Sequence, residues 1–164
     1  MAVDDTITGE QSTLKFIVLT APSLTRPANF DTAALTLPEL TATDMPVTVR
    51  TKTDPVTPTY GSAQPGTDGN MKWDKPKPDG AGWTMSLSGN VLPTEPERAA
   101  MNALIAARGK YIWVERKMYT DAELKGGCAL VTSTGEPVPA GQVITFSAGL
   151  TGYGPRYEDT KNIA

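Results

Sequence analysis

The side chains with the most reactive potential in this sequence are one thiol, a few neighbouring carboxylates and a short run in which a ring alternates with amines. Cys128 lies in "KGGCALVTST", where a thiolate at a glycine turn could act as a nucleophile if a base stood beside it. The chain has no histidine, which removes the Cys-His and Ser-His-Asp arrangements and the imidazole-containing zinc sites together. Cys128 is therefore read as a small apolar residue in a strand. Carboxylates neighbour each other at Asp4 and Asp5, at Glu95 and Glu97, and at Glu158 and Asp159. Adjacent strand residues point to opposite faces, and charged pairs near chain ends and helix caps are ordinarily solvated, so these make no acid and base pair. "TDGN" (67–70) and "KPDGAG" (77–82) look like pieces of calcium loops but lack the spaced oxygens and the closing Glu. They are read as turns. The glycines of "AGLTGYGP" follow a strand and lead to no helix with a Lys-Ser/Thr pair, so they build no phosphate loop. Lys72, Trp73, Lys75 and Lys77 could stack on bases and contact phosphates, yet Asp74, Pro76, Pro78 and Asp79 dilute the run, and a solvated turn is the reading. No catalytic residue, metal site or cofactor is expected.

The bulk properties narrow the remaining classes. A chain of 164 residues can bury a real core, and its length favours one domain over two. With 14 prolines and 15 glycines it should consist of many short elements joined by turns. A net charge of -3 gives no global attraction to phosphates, which argues against ordinary nucleic-acid binding. The acidic, polar start "MAVDDTITGEQST" lacks the basic and apolar regions of a secretory signal. One cysteine and the absence of any Asn-x-Ser/Thr triplet fit a protein made in a reducing cytoplasm.

Periodicity then supplies the elements. Strands are predicted at 13–20, 47–53, 82–92, 111–119, 128–134 and 143–150. The clearest alternation sets Trp83, Met85 and Leu87 against Thr84, Ser86 and Ser88, as in an antiparallel sheet with one wet face. "TSTGEPVPAGQ" (132–142) reads as a turn-rich connector between two strands that could pair as a hairpin. One helix is predicted at about 95–108. Thr94 is its N-cap, with Glu97 at capping-box spacing and Pro96 in the first turn; Met101, Leu104 and Ile105 form its apolar stripe, and Gly109 stands where a left-handed C-terminal cap belongs. Two long stretches, 21–46 and 54–82, are read as irregular loops, and loops of that length usually carry function or become ordered against a partner. Tyr60, Met71 and Trp73 are the apolar anchors of the second and candidate contacts between subunits or rings.

The succession "GWTMSLSGN", capped helix, "YIWVERK", "KGGCALVTS" and "VITFSAGLTGYGP" resembles the tail tube proteins (major tail proteins) of long-tailed bacteriophages, especially the flexible-tailed kind. The resemblance covers about residues 82–155. It implies a mainly β fold of two packed antiparallel sheets, as a sandwich or barrel, with one flanking helix over a single domain spanning 1–164. It further implies hexameric rings stacked into a virion tail tube, assembled in the host bacterial cytoplasm, through which genomic DNA passes during ejection without specific binding. Partners would be other copies of the chain and the tape measure, tail-tip and tail terminator proteins, with no membrane anchor. Two alternatives stay open: a monomeric β-sandwich binding a carbohydrate or other ligand through Trp73, Trp83 and Trp113, or another phage virion part such as a baseplate or connector subunit.

Overall fold

Alternating apolar and polar residues decide where the long strands lie, because in an extended chain every second side chain meets the same face. The computed structural model describes residues 13–37, 40–54, 75–91, 97–117 and 124–162. Within these, strands β1 (Thr13–Val18), β2 (Leu35–Thr36), β3 (Leu40–Asp44), β4 (Val47–Asp54), β5 (Lys75–Asn90), β6 (Tyr111–Lys117), β7 (Leu124–Gly135) and β8 (Thr145–Tyr157) accompany two α-helices, α1 (Phe30–Ala33) and α2 (Glu97–Ala106). The strands join antiparallel in the order β2-β1-β6-β7-β8-β5-β3, with β4 paired to β5 off this path. The result is mainly β, a curled antiparallel sheet in the form of a half-barrel, with one helix of length.

A curled sheet gathers side chains from distant strands on its inner face. Leu14 and Phe16 of β1, Ile112 and Val114 of β6, Ala129 and Val131 of β7, Phe146, Ala148 and Leu150 of β8, and Met85 and Leu87 of β5 form one buried cluster. Ala100, Met101 and Leu104 of α2 and Ala107 just past its end enter the same cluster, and Ile105 packs half-buried at its margin. The helix therefore closes the curl. Its exit is tied to the sheet: Gly109 has a left-handed φ of 80°, its N–H donates to the Val131 carbonyl at 2.8 Å, and the Val131 N–H donates to the Lys110 carbonyl at 3.1 Å. The glycine's amide thus serves β7 rather than turning back into its own helix. Thr94 lies outside the described residues, as does the side chain of Glu97.

The centre of the sheet is covered on its other side as well. Trp113 and Cys128, opposite one another on β6 and β7, are buried with Phe30 of α1. Burial on both faces explains why "YIWVERK" does not alternate in polarity. The cover is the 19–34 segment, which begins where β1 ends, two residues short of the predicted strand, and continues into the stretch expected to be irregular. That stretch instead contains α1, β2 and β3, whose shortness hides any period. A second correction concerns 54–82, because β5 begins at Lys75 and runs without interruption into the predicted strand. Tyr60, Met71 and Trp73 lie outside the described residues.

Candidate assembly interfaces

β5 changes character halfway along. From Trp83 to Asn90 its residues alternate between buried and exposed or half-buried, while from Lys75 to Gly82 every one is exposed. In this first half its ladder runs to β4, in the register Val47 to Trp83, Val49 to Ala81, Thr51 to Pro78 and Thr53 to Pro76, broken by a bulge between Val49 and Thr51. β4 is likewise exposed from Val47 to Thr53. The two strands form a ribbon projecting from the sheet, and an isolated two-stranded ribbon is marginal in water. Val47 and Val49, on one face of it, are 46% and 55% exposed.

The prolines explain why this segment reads as a turn and is a strand. Pro76 and Pro78 are two apart, so they share one side of β5, and lacking an N–H they fit where that side is turned from β4. They also deny the open edge to another strand. The ribbon is available for contact through its faces. Its two strands carry Arg50, Lys52, Lys75 and Lys77 against Asp54 and Asp79, whereas the whole chain is at -3. A basic arm leaves an acidic body.

The root of the arm is Trp83. Its indole is 3% exposed and its Nε1–H donates to the Gly154 carbonyl at 3.2 Å. It lies flat on the backbone of β8, such that a Cβ at Gly152 would stand 2.2 Å from Nε1. Only a residue without a side chain lets the ring in, and the ladder of β5 with β8 ends just before it, at the Thr84 to Thr151 pair.

On the far face, Glu115 is 3% exposed and accepts from the Arg26 Nε–H and from the Trp113 Nε1–H at 3.1 Å. Arg26 also donates to both oxygens of Asp31, at 2.8 and 3.1 Å, and its guanidinium lies 4.8 Å from the Phe30 ring centre. Asp31 and then Glu115 hold the Arg26 cation well above its ordinary pKa, and Arg26 in turn holds the Asp31 carboxyl below the usual carboxylate range. Tyr157 stacks on Trp113 at 6.0 Å and donates to the Leu24 carbonyl at 2.8 Å. These contacts strap the 19–34 segment to the sheet. Sequence reasoning missed Arg26 and Glu115; the only signal was a carboxylate following "YIWV" in an apolar strand.

At the arm side, Arg156 donates to the Met45 carbonyl at 2.6 Å and to Glu158 at 2.6 Å, which depresses the Glu158 pKa. Burial, reinforced by the charge of Arg156, lowers that of Arg116. The Cys128 thiol is 1% exposed and burial pushes its pKa up, the opposite of an activated nucleophile. Trp83 and Trp113 are both buried, so neither can supply a sugar-stacking platform. Among the described residues no group of His, Cys, Asp and Glu is placed to hold a metal ion, and no helix is long and apolar enough to cross a membrane.

No family model matches this sequence, and no curated protein matches it. Solved structures do share its fold. It is similar to a chain from the tail of an empty gene transfer agent particle with C6 symmetry, at 12% identity and a TM-score of 0.58, covering 92% of this chain and 97% of that one. It is similar to the SPP1 tail tube at 14% identity and a TM-score of 0.61, covering 95% and 83%. The baseplate of an anti-feeding prophage gives a TM-score of 0.54 at 10% identity, covering 98% and 99%. The chain has the fold of these tail components.

Proposed function

We propose that this chain is a virion structural protein that assembles with copies of itself into stacked, hexameric rings, forming the tube of a phage tail through which DNA is ejected. The observation that carries the reading is the arm: a two-stranded ribbon of Val47–Asp54 against residues 75–82 whose described side chains are exposed, on a fold otherwise seen in tails. A ribbon of this kind is worth maintaining only if something covers it. Its excess of positive charge suits the acidic body of a neighbouring copy. The sequence between its strands, with Tyr60, Met71 and Trp73, would extend the same contact between subunits or rings. Met101, Leu104 and Ile105 then serve folding, and the sheet edges serve ring closure, which removes edges without any catalytic group.

In the tube the wall facing the DNA would carry the body's acidic surface, so that phosphates are repelled and the genome slides. Tape measure, tail-tip and terminator proteins would be the partners at the tube's ends, and the place of the protein is the virion, after synthesis in the host cytoplasm. A baseplate subunit is the second reading, favoured by the likeness to the anti-feeding prophage baseplate.

The test is electron microscopy and light scattering over a concentration series, comparing the full chain with a variant in which residues 50–80 are replaced by a two-residue Asn-Gly turn. Rings or tubes from the full chain and a folded, non-elongating variant are expected. Normal tubes from the shortened chain would remove the arm from assembly. A salt-sensitive shift of short duplex DNA at sub-micromolar protein would contradict the sliding wall.

A further inference from the structure

The arm has two unlike faces. Residues directly opposite one another in an antiparallel pair share a face, so the register sorts its side chains. Val49 stands with Ala81, Thr51 with Pro78 and Thr53 with Pro76, the bulge preserving the match, and no charge falls on this side. Arg50 and Lys52 of β4 and Lys75 and Lys77 of β5 fall on the other, where a Cβ on Gly80 would stand 2.7 Å from the Arg50 Nη2. Covering the uncharged face strips no ion of its water, so it is the face that gains by being covered. Its largest apolar groups are Val47 and Val49. Of the nine large apolar residues exposed among the described ones, these two lie on the arm and three more lie together at 136–144, where Val138, Val143 and Ile144 are 69, 64 and 38% exposed.

This second surface is a knob between β7 and β8 whose every residue is exposed and whose one charge is Glu136. It is built rather than loose. Pro137 and Pro139 stiffen it, Gln142 N–H closes a turn on the Pro139 carbonyl at 3.3 Å with Gly141 left-handed at 72°, and the Ile144 carbonyl accepts from Val91 N–H at 2.9 Å. The knob thus stands at the far end of β5 from the arm. Nine residue steps separate Ala81, opposite Val49, from Asn90, opposite Thr145, roughly 30 Å of extended chain, so the knob cannot reach the arm of its own copy. Two apolar surfaces at opposite ends of one molecule make a heterologous contact that repeats instead of closing on itself. We infer that the uncharged face of the arm receives the 136–144 knob of the next copy, with Val138 and Val143 packed on Val47 and Val49. The inference rests on the assembly reading and names a contact for it. Glu136 is opposite in sign to the arm's excess of charge, so electrostatics favours the approach.

The test uses the full chain and disulfide trapping, because Cys128 is 1% exposed and introduced thiols are then the accessible ones. Under mild oxidation, a chain carrying both Val49→Cys and Val138→Cys should give a ladder of linked multimers on a non-reducing gel, and its peptides should join residue 49 to residue 138. Thr48→Cys with Val138→Cys should give no ladder, since residue 48 faces the other side of the arm. Separately, Val138→Asp should raise the concentration needed for assembly by about tenfold or more, while Val138→Ile leaves it within about twofold. All three positions are exposed, and circular dichroism would verify the fold of each variant. Tubes without the 49–138 ladder, and with Val138→Asp assembling normally, would overturn this contact and leave the assembly reading standing. An equal ladder from residue 48 would also overturn it. The 49–138 ladder without rings or tubes would support the contact and remove the tube reading. Neither ladder nor assembly would overturn both.

Discussion

The two halves of β5 have the same backbone and opposite dependences. From Trp83 onward the strand is held by β3 and β8 on either edge and by the core on one face; from Lys75 to Gly82, among the described residues, its strand partner is β4. The lesson is that a continuous strand can have its stability supplied from different places along its length. Substitutions around the body half should unfold the chain, and substitutions in the arm half should leave it folded and spoil its association.

The sharpest test is Gly152→Ala, which drives a methyl into the Trp83 ring. A loss of about 3 kcal/mol or more is expected in urea unfolding, with the arm's root displaced. Next comes Arg26→Met, which leaves Glu115 buried with a single indole donor; about 3 kcal/mol should be lost by the same measurement, and a variant as stable as the parent would show that the strap is idle. Gly109→Ala puts a Cβ on a left-handed residue in open space, so only the backbone is strained, at about 1 kcal/mol. Acid acts more weakly. The Asp31 and Glu158 carboxyls titrate below their ordinary values of 3.8 and 4.5, so their contribution is present above about pH 4.5 and disappears as pH falls through the folded-state values. Both groups are exposed at the surface, so a melting curve series from pH 6 to pH 3 should show a shallow decline that Asp31→Asn flattens in part. The smallest effect on stability is expected from Val49→Ser in the arm, within about 0.5 kcal/mol, together with a clear defect in assembly. A large loss of monomer stability from that change would erase the distinction between the halves.

What could be read in advance followed the range of the interactions. Trp83, Met85 and Leu87 declare their face because alternation is local, and the stripe of α2 does so for the same reason. Glu115 could not be placed as a buried group, since its partner Arg26 lies 89 residues away in the sequence and only the folded sheet brings them together. The strand at 75–82 was obscured by Pro76, Pro78, Asp79 and Gly80, residues whose ordinary meaning is a turn and whose meaning here depends on which edge of the ribbon is open. β3 was hidden by length, with five residues and one mild alternation. The candidate contacts at Tyr60, Met71 and Trp73, and the capping pair Thr94 and Glu97, remain proposals.

The course of β5 also has a mechanical meaning. A load applied to the arm passes down a single chain into the seven register pairs from Thr84 to Asn90 that face β8. Because the pull runs along the strand and the hydrogen bonds lie across it, the pairs are loaded in shear and share the force, whereas a pull across the sheet would open them one after another. An arm that continues a strand paired on both edges is therefore a tether anchored in the strongest direction the sheet offers.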